Sequence, residues 1–234
     1  LGRGVVEPVD DMRVSNPPTN APLLDGLSGR LVELRFDLRS FVREICNSRV
    51  YQLASNPTST NLKDTRQFSH AKLRRLRADV LLDSIVAVTG VPRSLPGWPA
   101  GTKAVNYYPR VSGDTEGPHP GDPFFETFGR STRGTVCACE TKRDPTLSQT
   151  MHLVVGDTIR ERISSPGVVK TLLDSQVDPE GIIESLFVRA LSRKPTPEER
   201  VDLLAFVHGN EKSQEVYEDI FWALLNSTEF LFNH

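Results

Sequence analysis

The sequence predicts a mainly α protein, a helical domain interrupted by a long Pro/Gly-rich, aromatic-bearing insertion with at most short strands. Three observations predict it. Apolar residues recur at three- and four-residue steps over most of the chain, several helix starts pair a capping side chain with proline, and residues 91–134 are crowded with Pro and Gly.

Taken in order, Leu23, Leu24, Leu27, Leu31 and Leu34 repeat at helical spacing behind Asn20 and Pro22, a start signal. Leu38, Phe41, Val42 and Ile45 follow with Asp37 as N-cap. A third helix is expected from about Ser69 to Thr89, carrying Leu73, Leu76, Val80, Leu81 and Ile85 and stopped by Gly90. From Val91 to about Gly134 proline removes donors and fixes φ, so the stretch reads as non-helical, with room for a short strand at Lys103 to Tyr108. Its Trp98, Tyr107, Tyr108, Phe124, Phe125 and Phe128 argue for an ordered excursion packed by aromatics.

Beyond Cys139 the helix starts are legible one by one. Asp144-Pro145, Asp178-Pro179 and Thr196-Pro197 each place a capping side chain before a proline at the first helical position. Glu199 completes a capping box with Thr196. The stripes that follow are Leu147, Met151 and Val154; Ile182, Ile183, Leu186 and Ala190; Leu203, Leu204 and Val207; and Ile220, Phe221, Leu224 and Leu225. No internal repeat is evident, and residues 1–234 read as one domain. The start at Leu1 rather than Met reads as the cut edge of a longer protein, of which this is the C-terminal part.

The 28 Lys and Arg against 30 Asp and Glu give a net charge of −2, without the basic excess of a nucleic-acid binder. No run of apolar residues is long enough to span a membrane. Three cysteines, Cys46, Cys137 and Cys139, are too few for a disulfide-built scaffold, and cysteine usage does not fix the compartment.

Two constellations could carry chemistry. Cys137-Ala138-Cys139-Glu140 sets two thiols and a carboxylate close together, able to ligate a soft or borderline metal if His152, or His70 or His119, joined them. The competing readings are two small half-buried side chains with Glu140 paired to an arginine, and a redox pair. Glu7, Asp10 and Asp11, with Arg3 and Arg13, could serve acid–base work or a hard cation. Such a set also serves to cap and clamp a loop through Arg–carboxylate pairs. Arg74, Arg75 and Arg77, with Lys72 and Asp79, are expected on the third helix, Arg74 and Arg77 on one face and Arg75 and Asp79 as an i,i+4 pair; they read as a solvated charged face, with a phosphate or acidic-glycan site as the competing reading. No Gly-x-Ser-x-Gly, Gly-Lys-Ser/Thr phosphate loop, His-Glu-x-x-His or Gly-x-Gly-x-x-Gly occurs.

A set of short motifs resembles the planctomycete-type family catalogued as domain of unknown function 1553. They are Gly2-Arg3-Gly4-Val5-Val6, Pro8-Val9-Asp10-Asp11-Met12-Arg13, Asn16-Pro17-Pro18, Asn47-Ser48-Arg49 with Tyr51-Gln52-Leu53, and Arg74-Arg75-Leu76. Phe128-Gly129-Arg130, Cys137-x-Cys139-Glu140, Pro145-Thr146-Leu147-Ser148-Gln149, Leu191-Ser192-Arg193 and the ending from Leu225 to His234 continue the series. The resemblance implies the C-terminal domain of a large exported bacterial protein, periplasmic or at the cell surface. It would stand behind a cytochrome-c-like domain, so that haem c sits only on a separate upstream domain. Those upstream domains are the expected partners, with a glycan or protein as a further one. The family supplies no catalytic residues, and no cofactor of this chain's own follows. Ala138 and Thr141 depart from the Asp and Arg expected around the cysteine motif.

Two functions are carried forward. One is a structural or binding module of an exported cytochrome-c-associated protein. The other is an enzyme domain acting on carbohydrate or electron-transfer substrates, with Cys137, Cys139 and Glu140 meeting Asp10, Asp11 and Arg13 across a cleft.

Overall fold

The computed structural model describes residues 3–9, 11–95, 98–107, 123–130, 146–154, 156–165 and 167–233. The chain is mainly helical, as its periodicity predicts. It divides into two compact units, the first taking in the described residues up to Arg74 and the second those from Arg75 to Asn233.

The first unit is built on a helical hairpin, α1 (Ala21–Glu33) and α2 (Leu38–Asn47). Asn20 caps α1 by accepting the Leu23 N–H at 3.1 Å, and Asp37 caps α2 by accepting those of Arg39 and Ser40 at 3.0 and 3.2 Å. Arg35 and Phe36, at φ 51° and 63°, turn the chain between them. Arg30 then forks across the hairpin, donating to Glu44 at 2.6 and 2.8 Å and to Glu33 at 2.7 Å. The leucines of α1 are half-buried, and neither helix buries any residue fully.

The second unit holds the core. Its helices are α3 (Ala78–Thr89), α4 (Pro123–Thr127), α5 (Leu147–Val154), α6 (Asp157–Ser164), α7 (Val168–Asp174), α8 (Pro179–Leu191), α9 (Pro197–Val207), α10 (Gln214–Leu225) and α11 (Thr228–Leu231). Leu81, Leu82 and Ile85 of α3 join Ile182, Ile183 and Leu186 of α8 and Tyr217, Phe221 and Leu225 of α10 in one buried cluster. Each such side chain contributes about 1.5–3 kcal/mol when taken out of water. Of the caps read from sequence in this unit, Asp144-Pro145 lies outside the described residues and the others are in place. Asp178 accepts the Gly181 N–H at 3.1 Å, Thr196 and Glu199 form the reciprocal capping box, and Gly90 ends α3 at φ 70°.

Four local expectations are corrected. The third helix starts at Ala78 rather than Ser69, because Leu76 N–H is taken by Leu231 C=O at 2.9 Å. The strands β1 (Arg74–Arg75) and β2 (Phe232–Asn233) lie beside that bond. No strand forms around Lys103; a 3₁₀ turn spans Ala104–Asn106 instead. The Asp83 carboxylate captures the Ala104 and Val105 N–H groups at 2.7 and 3.1 Å, removing them from any ladder. The Pro/Gly-rich stretch does hold a helix, α4, whose first residue is Pro123, the helical position where a missing N–H is harmless. Finally, α5 exposes Leu147, Met151 and Val154 and buries Gln149 and Leu153. The Gln149 amide earns that interior position by donating to Thr127 C=O at 3.0 Å.

Tyr107, Phe124, Phe125 and Phe128 are interior rather than presented to solvent, and Trp98 is half-buried. Tyr107, Phe124 and Phe128 are almost completely buried, Phe124 stacks on Phe128 at 4.4 Å, and Tyr107 stacks on Phe125 at 5.3 Å.

Candidate functional site

The acidic N-terminal segment folds into a self-contained loop of the first unit. Asp11 and Arg13 meet as a bidentate pair, Nε and Nη2 each donating at 2.7 Å. That guanidinium bond lowers the Asp11 carboxyl below its ordinary value. Glu7 accepts the Gly4 N–H at 2.8 Å. Asn16 donates to the Asp11 carbonyl at 2.9 Å and to that of Glu7 at 3.3 Å, while Thr19 N–H and Oγ1 both donate to Val5 C=O. Both described carboxylates are therefore acceptors inside the loop's own bonding. Their arrangement clamps a turn. Asp10 lies outside the described residues, as do Cys137, Cys139 and Glu140.

Of the histidines named as metal-ligand candidates, His119 also lies outside the described residues, His70 belongs to the first unit, and His152 stands on α5 in the second unit. Its Nε2 is 3.0 Å from Thr158 Oγ1, and its ring meets Phe124 and Phe128 edge-on at 5.6 and 5.7 Å. Among the described residues no group of three or more His, Cys, Asp or Glu is placed to hold a metal ion.

The arginine cluster does not share a helix face. Arg75 precedes α3 and lies against Phe128, donating to its carbonyl at 2.9 Å with the guanidinium 5.3 Å from the ring centroid. Burial lowers its affinity for the proton. Asp79, 3% exposed in the first turn of α3, pairs with Arg77 rather than Arg75. Burial alone would push the Asp79 carboxyl up; the Arg77 bond and charge, with the Val80 N–H, outweigh it and leave the carboxyl lowered.

Two clefts in the second unit lie outside the motifs singled out above. One, of about 610 Å³, is bordered by Val154, Arg160, Glu215, Glu218, Asp219 and Trp222. The other, of about 660 Å³, runs along α3 between Val80, Val86 and Val105. Only the acid-rich spacing of Glu215, Glu218 and Asp219 on one face of α10, with Trp222 next on that face, could have pointed to the first.

The fold and site define a helical module without an assembled catalytic constellation among its described residues. The profile of PSD1, described as a protein of unknown function (DUF1553), matches residues 1–207, and the chain belongs to that family. No curated protein and no solved structure matches it. No helix of the described residues is long and apolar enough to cross a membrane.

Proposed function

We propose that this chain is a binding module of an exported, cytochrome-c-associated bacterial protein, and that it engages a glycan through the cleft beside α10. The setting rests on the family resemblance, which implies upstream haem-bearing domains on the same polypeptide. The binding role rests on the cleft itself. Trp222 supplies an apolar ring, and Glu215, Glu218, Asp219 and Arg160 border the same space with planar polar groups. A sugar ring offers a C–H face to an aromatic and vicinal hydroxyls to carboxylates and guanidiniums, so this lining matches both sides of its chemistry. Glu218 also accepts from Gln214 Nε2 at 2.5 Å, which fixes one acceptor in place.

Saturation-transfer NMR with neutral oligosaccharides tests the proposal. Binding is expected to the wild type and to be lost in Trp222→Leu and reduced in Asp219→Asn, with the circular dichroism unchanged. Absence of transfer from every sugar would sink it. Stoichiometric metal in the wild type, lost in Cys137→Ser/Cys139→Ser, would replace it with the enzyme reading centred on the Cys-x-Cys-Glu segment.

A further inference from the structure

The first unit contains a small cavity, separate from the α10 cleft, whose lining holds two cations, Arg3 and Lys72, against one carboxylate. It measures about 160 Å³ and is bordered by Arg3, His70 and Lys72, together with Asp64, Thr65 and Phe68. At about 30 Å³ per water it has room for about five waters, and so for a tetrahedral oxyanion.

Among the described residues the cations are not neutralised from within. Asp64 is the carboxylate at the cavity, and it is fully engaged elsewhere. Its oxygens accept the N–H groups of Arg66, Gln67 and Ser69 at 2.8 Å each and the Ser69 hydroxyl at 2.6 Å. Those bonds, the Gln67 N–H foremost, hold it ionised far below the ordinary range. They close the turn that carries Phe68, at φ 53°, into the cavity wall. Neither Arg3 nor Lys72 makes an ion pair among the described residues. Arg3 Nε is buried without a hydrogen-bond partner among the described residues, although its guanidinium sits 5.9 Å from the Phe68 ring centroid. A buried guanidinium N–H left without an acceptor is costly, and an acceptor is what it lacks. His70 Nδ1 is 3.1 Å from Ala71 C=O; a carbonyl only accepts, so this nitrogen carries the proton.

We infer that this cavity is an oxyanion site, taking a sulfate or phosphate group either as the free ion or as a monoester on a larger ligand. Arg3 and Lys72 supply charge-assisted donors, the Thr65 hydroxyl a neutral one, and the Phe68 ring the apolar floor beneath the guanidinium. The net positive balance at the cavity selects anions. The 160 Å³ volume admits the charged head and leaves any organic part outside.

Titration of the whole chain with inorganic sulfate, inorganic phosphate and glucose 6-sulfate, against chloride at matched ionic strength, provides the test. Calorimetry or amide NMR should show saturable binding with a dissociation constant on the order of 1 mM. Tighter binding of glucose 6-sulfate than of free sulfate identifies the ester as the better ligand. Lys72→Gln, an exposed side chain whose loss leaves the fold intact, should weaken binding at least about tenfold, and Arg3→Gln should do the same. Arg66→Gln, outside the cavity lining, should leave it unchanged. No saturable binding of any of the three anions, or equal binding by Lys72→Gln and wild type, would overturn the assignment.

Discussion

Arg193 grips Glu199 with two nitrogens at 2.7 and 2.9 Å, tying the start of the α8–α9 connection to the first turn of α9. The same guanidinium reaches Glu229 of α11 at 2.8 Å twice and lies 5.4 Å from the Phe187 ring centroid. One side chain thus joins three helices around a half-exposed junction. The Arg193 bond, followed by the Thr196 N–H, lowers the Glu199 carboxyl from 4.5 to about 2. Because the folded value lies below the unfolded one, the stabilisation is complete above pH 4.5 and fades as pH falls towards 2. Arg193→Met should therefore cost about 1 kcal/mol at pH 7, discounted for solvent screening, and the gap to wild type should close between pH 4.5 and 2. Urea melts at pH 7, 4 and 2.5 check this; a gap that stays constant across the series contradicts it.

The Asp83 carboxylate of α3 holds the 3₁₀ turn by accepting the Ala104 and Val105 N–H groups at 2.7 and 3.1 Å. Asp83→Ala should cost about 1.5–3 kcal/mol, since two charge-assisted bonds are lost together. Hydrogen exchange is the sharper readout. The Ala104 and Val105 amides should lose protection in the variant while amides of α8 keep theirs, a pattern that general destabilisation would not produce.

Features whose causes lie within a few residues were legible in the sequence. Asn20, Asp37, Asp178 and Thr196 cap the helices they precede because a cap needs only the next two or three N–H groups. Features set by distant partners were not. The start of α3 is fixed by Leu231, the turn at Ala104 by Asp83, and the buried face of α5 by Thr127. For α5 the apolar stripe of Leu147 and Met151 pointed to the wrong side, because a satisfied glutamine outcompeted it for the interior. At the site, the sequence picked out Asp11 and Arg13 as neighbours in one cluster, and the structure joins them as a clamp. The clefts escaped notice because each needs walls from segments far apart in the chain.

Thr196 and Glu199 form both halves of the capping box, at 3.2 and 2.8 Å. Thr196→Ala should cost about 1 kcal/mol, and Thr196→Ser should restore most of it, because the hydroxyl rather than the methyl accepts the N–H. Thermal melts of the two variants beside wild type measure the difference. Equal melting temperatures for Ala and Ser would show that the cap contributes nothing.

Tyr107 offers the opposite case, a buried polar atom that works against the fold. The residue is 1% exposed, packed against Trp98 and Phe125, and its hydroxyl has no hydrogen-bond partner among the described residues. A buried hydroxyl without a partner costs about 1–3 kcal/mol relative to an apolar group of the same shape. Tyr107→Phe removes that oxygen and leaves the ring and its stacking in place. The variant should therefore equal or exceed wild-type stability, by up to about 1 kcal/mol, which is against the usual sense of core substitutions. Tyr107→Leu, which removes the ring, should lose about 2–3 kcal/mol from stacking and packing. Equilibrium urea unfolding of both variants decides the matter: a Phe variant less stable than wild type would mean that the hydroxyl contributes to stability after all.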